Sequence, residues 1–374
     1  LDASGNKVRY TGLKAIRKRQ EQQVSGTITP DVMQEALEAY QRVYRQYDAN
    51  SINDIPVEVF YKELARYQPL VNNAKEAFAD SKTGMAPGVM GLTAEDMQNF
   101  YSQLPKRLES VIWLEQSGKP GYEQAQAIAQ KKFDAVQKPF TYSFGVSPDA
   151  MDYQTLLSLL LTLLCAVIAA PVFASDAQTG AQDIQLCTKN GGLRLAAAKL
   201  AAAFSITGAA YLLCGVVWIL VTNALFGWES TQTSVQWLFS VTSLLPYTVG
   251  QMEWVMLVAN FLIFFAEVAF VLMASVWAKN NLTALSVALI SVVAPLIVYM
   301  VVPGSFGEWL STLIPAGGIG LSNALLYKMI SFDFLYAGGH TFFQADVLLA
   351  SAPIKIVLLV GLAAWGYLRK TKVA

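Results

Sequence analysis

Five stretches of this 374-residue chain, at about 154–174, 200–226, 254–278, 282–302 and 353–368, are apolar over lengths that meet or approach one helical crossing of a lipid bilayer. A hydrocarbon core about 30 Å thick needs roughly 20 such residues, and a helix suits it because its backbone polar groups are satisfied internally where water is absent. Charge follows the same partition. Residues 1–150 hold 18 Lys or Arg and 18 Asp or Glu, whereas residues 151–374 hold 9 and 9. The first region has the composition of a water-soluble domain and the second that of a body dissolved in lipid. The expected fold is all-α: a polytopic helical membrane protein with five spans in this chain and a helical domain over 1–150.

Within 1–150 the clearest helix runs from about 30 to 47. Thr29 caps it, Pro30 takes its first position and Asp31 complements its dipole. Val32, Ala36, Leu37, Tyr40, Val43, Tyr44 and Tyr47 recur at three- and four-residue spacing, which puts them on one face. A tyrosine stripe of this kind reads either as a ligand groove or as core, and core is the expectation. Further helices are expected at about 57–67, 69–80, 94–116 and 120–137, with a breaker-rich loop, SKTGMAPGVMG, over 81–91. The basic run Lys14, Arg17, Lys18 and Arg19 reads as a solvated helix face, with lipid headgroups or an acidic partner as the alternative.

Several chemistries are excluded. Net charge is zero and both regions are balanced, so no basic stripe for nucleic acid exists. Cys165, Cys187 and Cys214 all lie in the apolar region and do not form a disulfide framework. His340 is the single histidine, which removes the HExxH pattern and most His-rich metal sites. No GxxxxGK[ST] phosphate loop occurs; the nearest fragment, SGKPGY, has Pro120 where the helix-starting Ser or Thr belongs. Neither a catalytic constellation nor a metal site is expected in this chain.

Two uncharged stretches, 230–252 and 309–327, are too polar or too broken to span, and are expected as interfacial or re-entrant helices on loops. Counting Lys and Arg near the span ends orients the five spans. With 1–150 outside, the cytoplasmic pieces hold Lys189, Arg194, Lys199, Lys279, Arg369, Lys370 and Lys372, against Lys328 and Lys355 outside. Residues 1–150 are therefore expected to be extracytoplasmic and the C-terminus cytoplasmic. An external domain must be led across the membrane, so a sixth span is expected upstream of Leu1.

Directly after the first span comes FASDAQTGAQDIQLCTKNGGLRLAAAKLAAAF, residues 173–204, the one dense polar cluster between two spans. It reads as a short surface helix containing Ala181, Ile184 and Gln185, then a Gly191-Gly192 break, then Arg194 and Lys199 at the mouth of the next span. Small residues at Ala177, Gly180 and Ala181 leave room for another protein's surface. The plainer reading is an ordinary basic cytoplasmic loop.

This segment resembles the permease subunits of type-2 ABC exporters, in which the second span ends in an aromatic and an acidic residue. A Gly-Thr or Gly-Ala pair, an amphipathic coupling helix, a basic position and a Lys opening the third span then follow. Phe173, Asp176, Gly180, Ala181, Arg194 and Lys199 stand at those places. Asp176 replaces the usual Glu, and Asn190-Gly191-Gly192 stands where Pro is common. The loop over 303–353 and the basic tail RKTKVA also fit, so the resemblance covers most of 151–374. It implies an ATP-driven export subunit of the bacterial plasma membrane, moving a peptide, antibiotic or other amphipathic compound. A separate cytoplasmic ABC ATPase would hold ATP and Mg, and a second permease chain, identical or related, would complete the dimer; this chain would hold no cofactor of its own.

Glu267 lies mid-span, where an ionised group costs roughly 2.5–3.5 kcal/mol on insertion scales, so it is expected to face the bundle interior. It reads as a translocation-path residue, as an ion-coupling group, or as a carboxyl bonded to a neighbouring helix. Asn223 and Asn260 raise the same question, and Lys355 is expected to reach for the outer headgroups. Two other readings of the chain compete: a membrane-anchored sensor or scaffold whose external domain binds a ligand, and an ion-coupled secondary transporter.

Overall fold

The computed structural model describes residues 10–371 apart from 21 and 322; Lys372 and the end of the basic tail lie outside the described residues. The chain is mostly helical, and five helices are long and apolar enough to cross a membrane: Pro148–Thr179, Leu193–Phe226, Val249–Trp277, Asn281–Val301 and Gln344–Lys370. Their outward side chains are apolar, with Leu213, Ile290 and Val357 each more than half exposed. Only a lipid surround makes such an exterior favourable. The last span begins near Gln344, well before the expected residue 353, and Pro353 lies inside it without ending it.

The chain divides into two compact units, residues 1–150 with 220–253, and residues 151–219 with 254–374. In the first, the helix Pro30–Gln46 starts as its sequence dictates, with the Thr29 side chain accepting from the Val32 N–H. Its buried face is Met33, Ala36, Leu37, Ala39, Tyr40, Val43 and Tyr44. Tyr40 and Tyr44 pack as core, with ring centroids 6.2 Å apart. The expected face is corrected at its ends: Tyr47 is exposed and Val32 only half-buried, while Met33 and Ala39 turn inward. The expected helix over 94–116 is two, Ala94–Gln98 and Phe100–Gln116. Thr93 and Asp96 form a reciprocal capping box at the start of the shorter one. Two-residue strands Gly26–Thr27 and Thr141–Tyr142 pair antiparallel and tie the ends of this domain together.

The stretch 230–252, expected as an interfacial or re-entrant helix, belongs to this same unit. Between the 3-10 turn Trp228–Gln232 and the span that opens at Val249, it carries one helical turn, Val235–Leu238, and an isolated bridge between Ser234 and Thr248. Its indole, Trp237, is 5% exposed and sits 6.2–6.3 Å from the rings of Phe100, Phe140 and Tyr142. Thr233 and Ser234 hydrogen-bond the backbone of Ser143 and Thr141. A segment rich in Ser, Thr and Gln is thus spent on side-chain hydrogen bonds to a neighbouring backbone.

In the second unit, the stretch 309–327 is broken as expected: the helix Gly304–Leu313 ends before the GGIG sequence, and Leu325–Ile330 follows it. Next comes a β-hairpin that the sequence reading missed, Phe334–Ala337 paired with His340–Phe343. Gly338 and Gly339 form its turn, both at positive φ, as a two-residue hairpin loop requires. His340 opens the return strand and is exposed.

Candidate functional site

The first span breaks at Pro171, which has no N–H to donate and so interrupts the helical ladder. Ser275, fully buried in the third span, fills the gap. Its hydroxyl accepts from the N–H of Phe173 and of Ala174, 3.0 Å each, and donates to the Ala170 carbonyl at 2.6 Å. One hydroxyl thereby uses its single donor and both acceptor positions. The helix resumes over Pro171–Thr179 and ends at Gly180, whose φ of +74° reverses the chain. A six-residue helix, Ala181–Leu186, then runs on, exposing Asp183 and Ile184.

Return from that helix depends on Gly191. A Cβ there would meet the Gln185 carbonyl oxygen at 1.6 Å, so no other residue fits. The second long helix opens at Leu193. Lys199, on its second turn, pairs with Asp176, donates to the Val172 carbonyl at 3.3 Å and lies 5.4 Å from the centre of the Phe173 ring. The Lys199 side chain, less than one-fifth exposed, is thus surrounded by an acid, a carbonyl and an aromatic face.

Of the residues singled out in this segment, Phe173, Asp176 and Lys199 therefore meet, across 26 positions of chain. Gly180 and Ala181 form the turn that follows. Arg194 does not join them; its guanidinium reaches back to Asn190 Oδ1 at 3.2 Å and is exposed. The contacts absent from the sequence reading come from other spans. Tyr367 packs against Phe173, tilted, with ring centroids 5.5 Å apart, and donates to the Gly191 carbonyl at 3.1 Å. Lys370 donates to the Val276 carbonyl, and the Gln178 side chain accepts from the Asn281 N–H. Beside the short helix lies a cleft of about 600 Å³ lined by Gln182, Asp183, Leu186, Trp277, Gly366, Arg369 and Lys370.

The intramembrane polar residues fall into separate places. Glu267 is fully buried and accepts from the Ser291 hydroxyl, while its Oε2 has no partner among the described residues. Asn260 is also buried, on the same helix. Asn223 donates to Glu253 Oε2 at 2.6 Å, and both belong to the first unit. Glu253 escaped the sequence reading, yet its signal was present: residues 253, 260 and 267 recur every seventh position and so share a helix face. Lys355 does not reach for headgroups. It donates to the carbonyls of Thr312 and Ile314 at 3.0 and 3.1 Å, closing the end of the helix Gly304–Leu313, whose last carbonyls have no partner within the helix.

The described residues contain no group of three or more His, Cys, Asp or Glu placed to hold a metal ion. No known protein family, curated protein or solved structure matches the chain.

Proposed function

We propose that this chain is the membrane subunit of an ATP-driven exporter of the type-2 ABC class, coupled to a separate cytoplasmic ATPase through residues 173–199. One observation carries the reading. A rigid elbow, locked by Ser275 and by the Asp176–Lys199 pair, presents a short exposed helix at the point where five spans end or begin. A push on that helix is delivered to the Phe173–Tyr367 contact and to the third span through Ser275, because packed interiors transmit displacement rather than absorb it. The exposed Ile184 supplies an apolar contact for the partner.

On this reading residues 1–150 are extracytoplasmic, the membrane is the bacterial plasma membrane, and a second permease chain completes the path for a peptide, antibiotic or similar amphipathic compound. ATP and Mg are held by the partner. Co-purification of the full chain with cytoplasmic ATPases tests it. An ATPase is expected with the parent chain and lost with Gly180→Trp, which strains a left-handed position, and with Ile184→Glu, which charges the contact face. Arg194→Glu, which reverses the basic position, is expected to weaken it. Absence of any ATPase from the parent preparation would refute the coupling role.

The buried Asn260 and Glu267, seven positions apart on one helix, favour a second reading, an ion-coupled transporter. It predicts transport that follows a proton or sodium gradient without ATP and stops in Glu267→Gln.

A further inference from the structure

The helix Gln68–Ala77 sets Asn72, Lys75 and Glu76 on one face, with Ala79 beyond its end, at spacings of three, four and seven. Opposite stands Arg107 of the helix Phe100–Gln116, and Gly84 and Ala86 of the connecting loop close a cleft of about 260 Å³. The loop is preformed. Asp80 Oδ1 accepts from the N–H groups of Lys82 and Thr83 and from the Thr83 hydroxyl, and the Gly84 N–H donates to the Asp80 carbonyl at 2.8 Å.

Arg107 is 9% exposed, and two of its three guanidinium nitrogens, Nε and Nη1, have no hydrogen-bond partner among the described residues. A desolvated cation left in that state is costly unless something completes it. Glu76 attracts it through space but makes no hydrogen bond to it among the described residues: its carboxylate accepts from the Ser240 hydroxyl at 2.5 Å and from the Val241 N–H. Burial also pushes the Glu76 carboxyl above the usual carboxylate range. Lys75 adds a second positive charge on the cleft wall.

We propose that this cleft binds a carboxylate, the free C-terminus of a short peptide or a small organic acid, with the Arg107 guanidinium and the Lys75 ammonium as its two cationic partners. A guanidinium fork matches the planar two-oxygen geometry of a carboxylate. The volume lies just below the range of about 300–1,000 Å³ that holds drug-sized ligands, so a chain terminus fits and a larger body does not. Ala79, Gly84 and Ala86 give the ligand a wall of small side chains. The inference is independent of the exporter reading, since it requires no ATPase.

The test is calorimetric titration of the full chain in detergent with N-acetyl-triglycine and with its C-terminal amide, which differ only in the carboxylate. The acid is expected to bind, and the amide at least about 10-fold more weakly, the loss that follows from one charge-assisted hydrogen bond. Arg107→Met and Lys75→Gln are each expected to weaken the acid by a similar factor. Lys75 is only partly buried, so its variant keeps the test decisive if Arg107→Met fails to fold. Equal binding of acid and amide, no binding of either at about 10 mM, or an unchanged affinity in Lys75→Gln would each overturn the proposal. So would inorganic phosphate binding more tightly than the acid.

Discussion

Glu76 shows how much a single position depends on what surrounds it. Its carboxyl is held above its ordinary range chiefly by burial, with Ser240, Val241 and the Arg107 charge pulling the other way. The native state then binds the proton more tightly than the unfolded chain does. Stability attached to this group falls as pH rises from the ordinary glutamate value through the folded one. Glu76→Gln keeps an acceptor for Ser240 and Val241 but cannot ionise. Thermal unfolding of the full chain at pH 4.5 and pH 7 is expected to show a smaller decline in the variant than in the parent. Nothing in the sequence around Glu76 announces this, because Ser240 lies 164 positions away.

At the scale of an element, the elbow after the first span separates what is local from what is not. Pro171 and Gly180 are visible in the sequence, and each acts through its own backbone: one withholds an N–H, the other adopts φ +74°. Ser275 is the single serine of its apolar run, yet its role comes only from the arrival of its hydroxyl at the broken ladder. Ser275→Ala leaves two N–H groups and a carbonyl without that partner and is expected to cost about 2 kcal/mol or more. The exposed Ser205→Ala is expected to stay within about 0.5 kcal/mol. Thermal unfolding of both in one detergent checks the contrast. The missed hairpin is the opposite case, since Gly338-Gly339 between FDFLYA and HTFF is a local turn signal that a reading intent on helices passed over.

For the whole molecule, the compact units divide at residue 150 but also gather 220–253 with the amino-terminal residues. Trp237 carries that association. Its removal takes the indole out of a buried aromatic cluster, and Trp237→Ala is expected to destabilise the full chain by about 3–5 kcal/mol. Limited proteolysis is expected to cut first within 228–248 in that variant. Polar composition made this stretch look like a loop lying at the membrane surface. Its partners, Phe100, Phe140 and the backbone of 141–143, stand about a hundred positions earlier, beyond the reach of any periodicity.

The spans, their apolar length, the capped helix at Pro30, the breaks at Pro171 and Gly180 and the polar character of 173–199 were all determined by the sequence itself. Each depends on interactions within a few residues or on the solvent a side chain tolerates. Tertiary structure alone decided that Lys199 meets Asp176 while Arg194 turns away, and that Lys355 caps carbonyls rather than reaching for headgroups. It also decided that Arg107 is buried with two nitrogens unsatisfied. A long side chain has many rotamers and several partners within reach of its backbone position. Which of them it takes is settled by how distant elements close around it.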